Sequence, residues 1–157
     1  MPSAEPVKDR IASAAVTALE GVLTGAGYYT DLGLNVSRRM YAEQDLQSLR
    51  MPAATVVTVD GGPAPDSCTG SYRERFTLAV EAWFRSETAE GLDREGIRVE
   101  ADVKRAILST AQLGMSGTVV AVQPGNNSVA LKQFGDDRLG LKVVEFTVDY
   151  NWTATTP

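Results

Sequence analysis

No histidine occurs anywhere in the 157 residues. Histidine is the side chain whose charge changes near neutral pH and the commonest metal ligand, so its absence removes Ser-His and Cys-His nucleophile pairs together with imidazole metal centres. Cys68 is the only cysteine, which excludes an internal disulfide and a zinc site built on several thiolates. It stands near Asp66 with no adjacent cation to lower its pKa, and reads as an incidental loop thiol. Basic charge is in deficit, 15 Lys and Arg against 20 Asp and Glu for a formal charge of −5, and such a balance disfavours non-specific attraction to phosphate backbones. No apolar run approaches the ~20 residues of a membrane span, and Met1-Pro2-Ser3-Ala4-Glu5-Pro6 lacks the basic and apolar regions of a signal peptide. The expectation is a protein made and kept in the cytosol with no membrane partner. The sequons at Asn35, Asn126 and Asn151 then carry no weight.

Phosphate loops are missing as well. Gly25-Ala26-Gly27 with Gly33 nearby has Thr30 at the sixth position of the dinucleotide fingerprint and follows a helical pattern, so a helix stop explains these glycines. Asp136-Asp137 lacks the spacing of a calcium loop. The chemistry left to the chain is that of carboxylates, Lys and Tyr. Glu145 and Asp149 share a strand face, Glu81 sits with the arginines and Glu74 with the apolar set, an arrangement any half-solvated sheet offers. No catalytic residue, cofactor or metal is expected.

What is present is patterning. Hydrophobic residues at 43% and charged residues at 22% suit a globular chain, and no repeat or linker divides it, so residues 1–157 read as one domain. Val7, Ile11, Ala14, Ala15, Ala18, Leu19, Val22 and Leu23 recur at helical spacing from Pro6 to Thr24, with Gly25 and Gly27 as the stop. Leu34, Val36, Arg38 and Met40 suggest a short strand, and 42–50 a loop or a turn of helix. Ala53–Val59 is a β-branched strand, ended by Gly61-Gly62-Pro63-Ala64-Pro65-Asp66-Ser67. From Ser71 to Arg85, Tyr72, Phe76, Leu78, Val80, Ala82 and Phe84 alternate with Arg73, Arg75, Thr77, Glu81 and Arg85. Glu87–Thr110 returns to helical period with Leu92, Gly96, Val99, Val103, Ala106 and Ile107 on one face, supported by the Glu100–Lys104 pair. Thr118–Gln123, a turn at Pro124-Gly125-Asn126-Asn127, and Ser128–Phe134 read as a hairpin. A turn at 135–140 precedes a long amphipathic strand over Lys142–Thr153. The order α-β-β-β-α-β-β-β predicts an α+β fold, a mixed, mainly antiparallel sheet with two helices on one face.

Two features point to contacts between chains. Arg73, Arg75 and Arg85 with Trp83 lie by parity on the face of their strand opposite the core, the composition of a protein–protein patch. Gly61, Gly62, Pro63, Pro65 and Gly70 belong to a segment without large apolar anchors, a candidate mobile assembly loop.

The Ala-rich opening helix, Tyr28-Tyr29-Thr30-Asp31-Leu32-Gly33 leading into Val36-Ser37-Arg38-Arg39, Met51-Pro52-Ala53-Ala54-Thr55-Val56 and the closing Val144-Glu145-Phe146-Thr147-Val148-Asp149-Tyr150 resemble the small tail-terminator (tail-completion, minor tail) proteins of long-tailed bacteriophages. The likeness covers most of the chain and is one of layout and length. It implies a non-enzymatic virion protein at the head-proximal end of the tail. Six copies would form a ring that caps the tail-tube protein, ends its polymerisation and meets the head-completion connector, with DNA passing through the lumen without specific binding. A ring of identical subunits needs two different complementary patches. The alternatives are a head–tail connector and a cytosolic small-ligand-binding or enzymatic α+β domain, the latter marked by a pocket of convergent polar side chains.

Overall fold

Alternation of apolar and polar residues holds over Val144–Trp152 of the terminal strand in a computed structural model of the chain, which describes residues 5–64, 72–134 and 137–153, with backbone alone at 43, 131–134 and 137. The elements are α1 (Val7–Glu20), β1 (Val36–Ser37), α2 (Glu43–Ser48), β2 (Ala53–Pro63), β3 (Tyr72–Ser86), α3 (Ala89–Ser109), β4 (Val119–Phe134) and β5 (Asp137–Trp152). The fold is α+β, with a mixed five-stranded sheet ordered β1-β2-β3-β5-β4. Within the sheet the β1–β2 contact is parallel; β2–β3, β3–β5 and β5–β4 are antiparallel.

One face of the sheet is covered by helices. Ala54 and Val56 of β2, Phe76, Leu78, Val80, Ala82 and Phe84 of β3, and Val144, Phe146, Val148 and Tyr150 of β5 pack with Ile11, Ala15 and Leu19 of α1 and Val99, Val103 and Ile107 of α3. The expected helical face of α3 is buried in full. Thr88 starts that helix, its hydroxyl oxygen accepting from the Gly91 N–H at 3.0 Å in place of a missing intrahelical partner. Glu100 and Lys104 pair as expected, at 2.7 Å.

Several expectations need correction. The element order is α-β-α-β-β-α-β-β. α1 ends at Gly21, ahead of Gly25 and Gly27, and Leu32–Asn35 is a 3-10 turn, which leaves β1 two residues and sets Leu34 and Met40 at the surface. Of the two readings of 42–50, the helical one holds, as α2. The hairpin at 124–127 does not form; β4 runs straight through. Its register slips by one residue between Pro124 and Asn127, and by one more between Val119 and Ala121. A bulge on an edge strand absorbs a proline that has no N–H to give to a ladder. Likewise β2 does not stop at Gly61. Gly61, Gly62 and Pro63 continue it, with Gly62 opposite Arg75 and Pro63 opposite Glu74 after a one-residue slip. A Cβ on Gly61 would lie 1.7 Å from the Arg75 carbonyl oxygen, so glycine is what lets the bulge close against β3. Pro65, Cys68 and Gly70 of the expected loop lie outside the described residues.

Candidate interaction surface

The second face of the sheet is covered over part of its length. Leu46 of α2 packs on Trp83 and Leu139, with Tyr41, Leu49, Met51 and Leu141 around them. Trp83 is on the face that parity assigned, yet only 7% exposed. The expectation that it stands in water on an outer patch is thereby corrected: it fills a second, smaller core beneath α2. Six residues of helix are too few to show a helical period, so α2 gave no warning of this cover.

The other three candidates divide between the two ends of β3. Arg75 faces Asp149 across the β3–β5 ladder and donates to both carboxylate oxygens, Nε to Oδ1 at 2.7 Å and Nη2 to Oδ2 at 2.8 Å. Its guanidinium holds the Asp149 carboxyl below the usual range, against the opposing effect of partial burial. One rung along, Arg73 Nε donates to Asn151 Oδ1 at 3.3 Å. Arg85 is at the opposite end, where Nη2 donates to the Leu46 carbonyl at 3.4 Å. Arg73 and Arg75 thus form one polar ladder, while Trp83 and Arg85 belong with α2. Arg38 and Arg39 are ion-paired elsewhere, with Asp9 and Asp45. Between the ladder and α2, Thr77, Glu81, Val143, Glu145 and Thr147 keep part of their surface in solvent.

Glu81 and Glu145 are diagonal neighbours across the β3–β5 ladder, but Asp149 and Glu145 do not converge. Asp149 is engaged by Arg75, and Glu145 stands four residues away along β5, ~13 Å by strand rise, beyond the spacing that either glycosidase mechanism uses. Glu74, on the core face, accepts from the Tyr150 hydroxyl at 2.6 Å. Burial first, and then this bond to Glu74, raise the phenol above its ordinary range.

A feature that periodicity overlooked is Asp102, 1% exposed on the apolar stripe of α3. Its Oδ1 accepts the Tyr29 N–H at 3.1 Å, and its Oδ2 accepts the Thr30 N–H and hydroxyl, both at 2.8 Å. Arg105, one turn on, donates to the Gly27 carbonyl at 2.7 Å and lies 4.5 Å from the Tyr28 ring centre. Asp31 closes the same loop by accepting the Thr24 N–H and hydroxyl; those bonds lower its pKa, the backbone one most. The loop borders an open cleft of about 170 Å³ lined by Thr24, Asp31, Asn35, Arg50 and Glu95, with Tyr29 and Leu34 at its lip. The available signal was position: a lone carboxylate between Val99 and Ala106 on a stripe otherwise apolar.

Among the described residues, no three Cys, Asp or Glu side chains are grouped to hold a metal ion, and no helix is long and apolar enough to cross a membrane. No protein-family model matches the sequence, and no curated protein does.

Proposed function

We propose that this protein is a tail terminator of a long-tailed phage, a structural protein without catalytic activity. Six copies close into a ring on the head-proximal end of the tail tube, stop its growth and present a surface to the head-completion connector, with DNA passing through the lumen. The observation that carries this reading is the half-covered sheet. α1 and α3 bury one face, α2 covers the Trp83 end of the other, and among the described residues no helix covers the Arg75–Asp149 end. A scaffold with one sealed layer and one long open strand face suits repeated contacts with other chains. The likeness of layout to that phage family is the second support.

Loss of the gene is expected to give over-long tubes. A connector would instead leave tails of normal length detached from heads, so electron microscopy of particles from a deletion phage separates the two roles. Arg75→Glu is the targeted variant: it is expected to reproduce the long-tube phenotype with the subunit still folded. Normal-length, head-attached tails from the deletion would refute the reading altogether.

The cleft beside Asp31 and Arg50 favours a second reading, a module that binds a small polar ligand. A thermal-shift screen with small polar metabolites tests it. A saturable rise in melting temperature, abolished by Arg50→Ala, would support it over the ring.

A further inference from the structure

We propose that β4 is an interchain strand, pairing edge to edge and antiparallel with β2 of a second copy of this chain. β4 ends the sheet order, and among the described residues β5 is the one strand paired with it, beside a single bridge from Ser116 to Val119. Gln123 to Ala130 are all exposed. A long open edge is a template for pairing, and monomeric proteins normally guard it with charge. Here β4 carries a single charged residue, Lys132, and residues 106–131 contain no Asp, Glu, Lys or Arg, in a chain that is 22% charged. The bulges and Pro124 disturb the first half of β4. From Asn127 to Phe134 it matches β5 one residue for one, and no proline interrupts its row of outward N–H and C=O groups.

The opposite edge of the sheet is open in the same way. β1 covers only Ala54 and Thr55, which leaves Val56 to Pro63 with no further strand beside them among the described residues. That stretch carries one charged residue, Asp60, and Val59 and Val129, on the two edges, are 47% and 59% exposed.

Strand direction selects the occupant. β2, β3, β5 and β4 are each antiparallel to the next, so β4 runs opposite to β2. A second copy continuing the sheet in the same orientation brings its β2 beside β4 in the antiparallel sense, which gives the more stable ladder. Each copy then uses two different edges, a heterologous contact that closes into a ring if the rotation permits. The inference rests on the ring reading only for closure and for the number of copies.

Engineered disulfides test it. Ser128 is opposite Val143, while Val57 and Val59 are opposite Ala79 and Thr77, so all three project from the sheet face away from α1 and α3. In a Cys68→Ser background, Ser128→Cys combined with Val57→Cys or Val59→Cys is expected to yield a ladder of crosslinked multimers under oxidation. The single variants should yield none. Ser128→Lys with Ala130→Lys is expected to weaken self-association by about tenfold or more in sedimentation velocity without lowering the melting temperature. Dimers from Ser128→Cys alone would mean β4 pairs with β4 and overturn the proposal. So would a wild-type chain that stays monomeric at every attainable concentration, or assemblies that neither crosslink nor respond to the lysines. Those results leave the ring reading to the deletion phenotype, which tests it separately.

Discussion

Asp102 binds Thr30 twice through a single oxygen, accepting its N–H and its hydroxyl at 2.8 Å each. The carboxylate is almost fully buried, so removing it strands donors that water cannot reach. Asp102→Ala is expected to destabilise the fold by ~3 kcal/mol or more, from a cost of ~1–3 kcal/mol for each donor left unsatisfied. Thr30→Val removes only the hydroxyl and should cost ~1 kcal/mol. Urea denaturation with both variants checks the ratio; equal effects would mean that the backbone bonds to Asp102 contribute little.

Phe84 is wedged between two glycines. A Cβ on Gly140 of β5 would lie 2.1 Å from its ring, whereas one on Gly96 of α3 would lie 3.0 Å away. Gly140→Ala is therefore expected to destabilise by ~1–3 kcal/mol or more through overpacking. Gly96→Ala should be near neutral, since its crowding is offset by up to ~1 kcal/mol of helix propensity. Thermal melts order the two, and Phe84→Leu should rescue much of the Gly140→Ala loss.

Trp83→Ala reports on folding instead of assembly. The indole fills the small core with Leu46 and Leu139, and truncating a buried tryptophan costs ~3–5 kcal/mol. The α2 region is expected to loosen first, visible as faster hydrogen exchange at residues 43–49 while α3 stays protected. Unchanged exchange there would disprove the packing role.

Stability should be flat across neutral pH and fall on the acid side. Without histidine, the usual source of change between pH 5 and 8 is missing. Asp149 is held low by Arg75, and Glu100 by Lys104 and then Lys142. A depressed folded pKa gives stabilisation that is complete above the unfolded values, ~3.9 for Asp and ~4.3 for Glu, and that is lost as pH falls through the lower folded values. Each partly exposed pair contributes ~1 kcal/mol or less. Asp149→Asn with Glu100→Gln should flatten the acid limb of a denaturation series run from pH 6 to pH 2; an unchanged limb would assign acid sensitivity to other carboxylates.

The long elements were legible because their apolar residues obey one period throughout. β3 keeps Phe76, Leu78, Val80, Ala82 and Phe84 on one face, β5 alternates from Val144 to Trp152, and α3 keeps its stripe from Leu92 to Ile107, whereas Asp137–Gly140, expected as part of a turn, is already strand. Misreadings arose where a local signal met a tertiary one. Pro124-Gly125-Asn126-Asn127 has the composition of a turn, but pairing with β5 draws it into a bulged strand; Gly61-Gly62-Pro63 is drawn into β2 for the same reason. The polar ladder was legible only in part. Arg73 and Arg75 showed on parity, but their partners Asn151 and Asp149 are fixed by register, which no single strand encodes. Trp83 was misjudged and Asp102 overlooked because cover over the sheet and polar bonds under a helix are properties of distant segments.

The order β1-β2-β3-β5-β4 also governs the timing of folding. β5 is the last of the five strands to be synthesised, yet it lies between β3 and β4 and is the only strand that joins them. β4 and β5 are neighbours in sequence and pair from Phe134–Asp137 onward, so they come together locally, and the β3–β5 ladder is what joins distant segments. That one ladder is assembled from contacts distant in sequence, which slows folding. A translation pause or a truncation within β5 would leave the protein without its middle, not without its end.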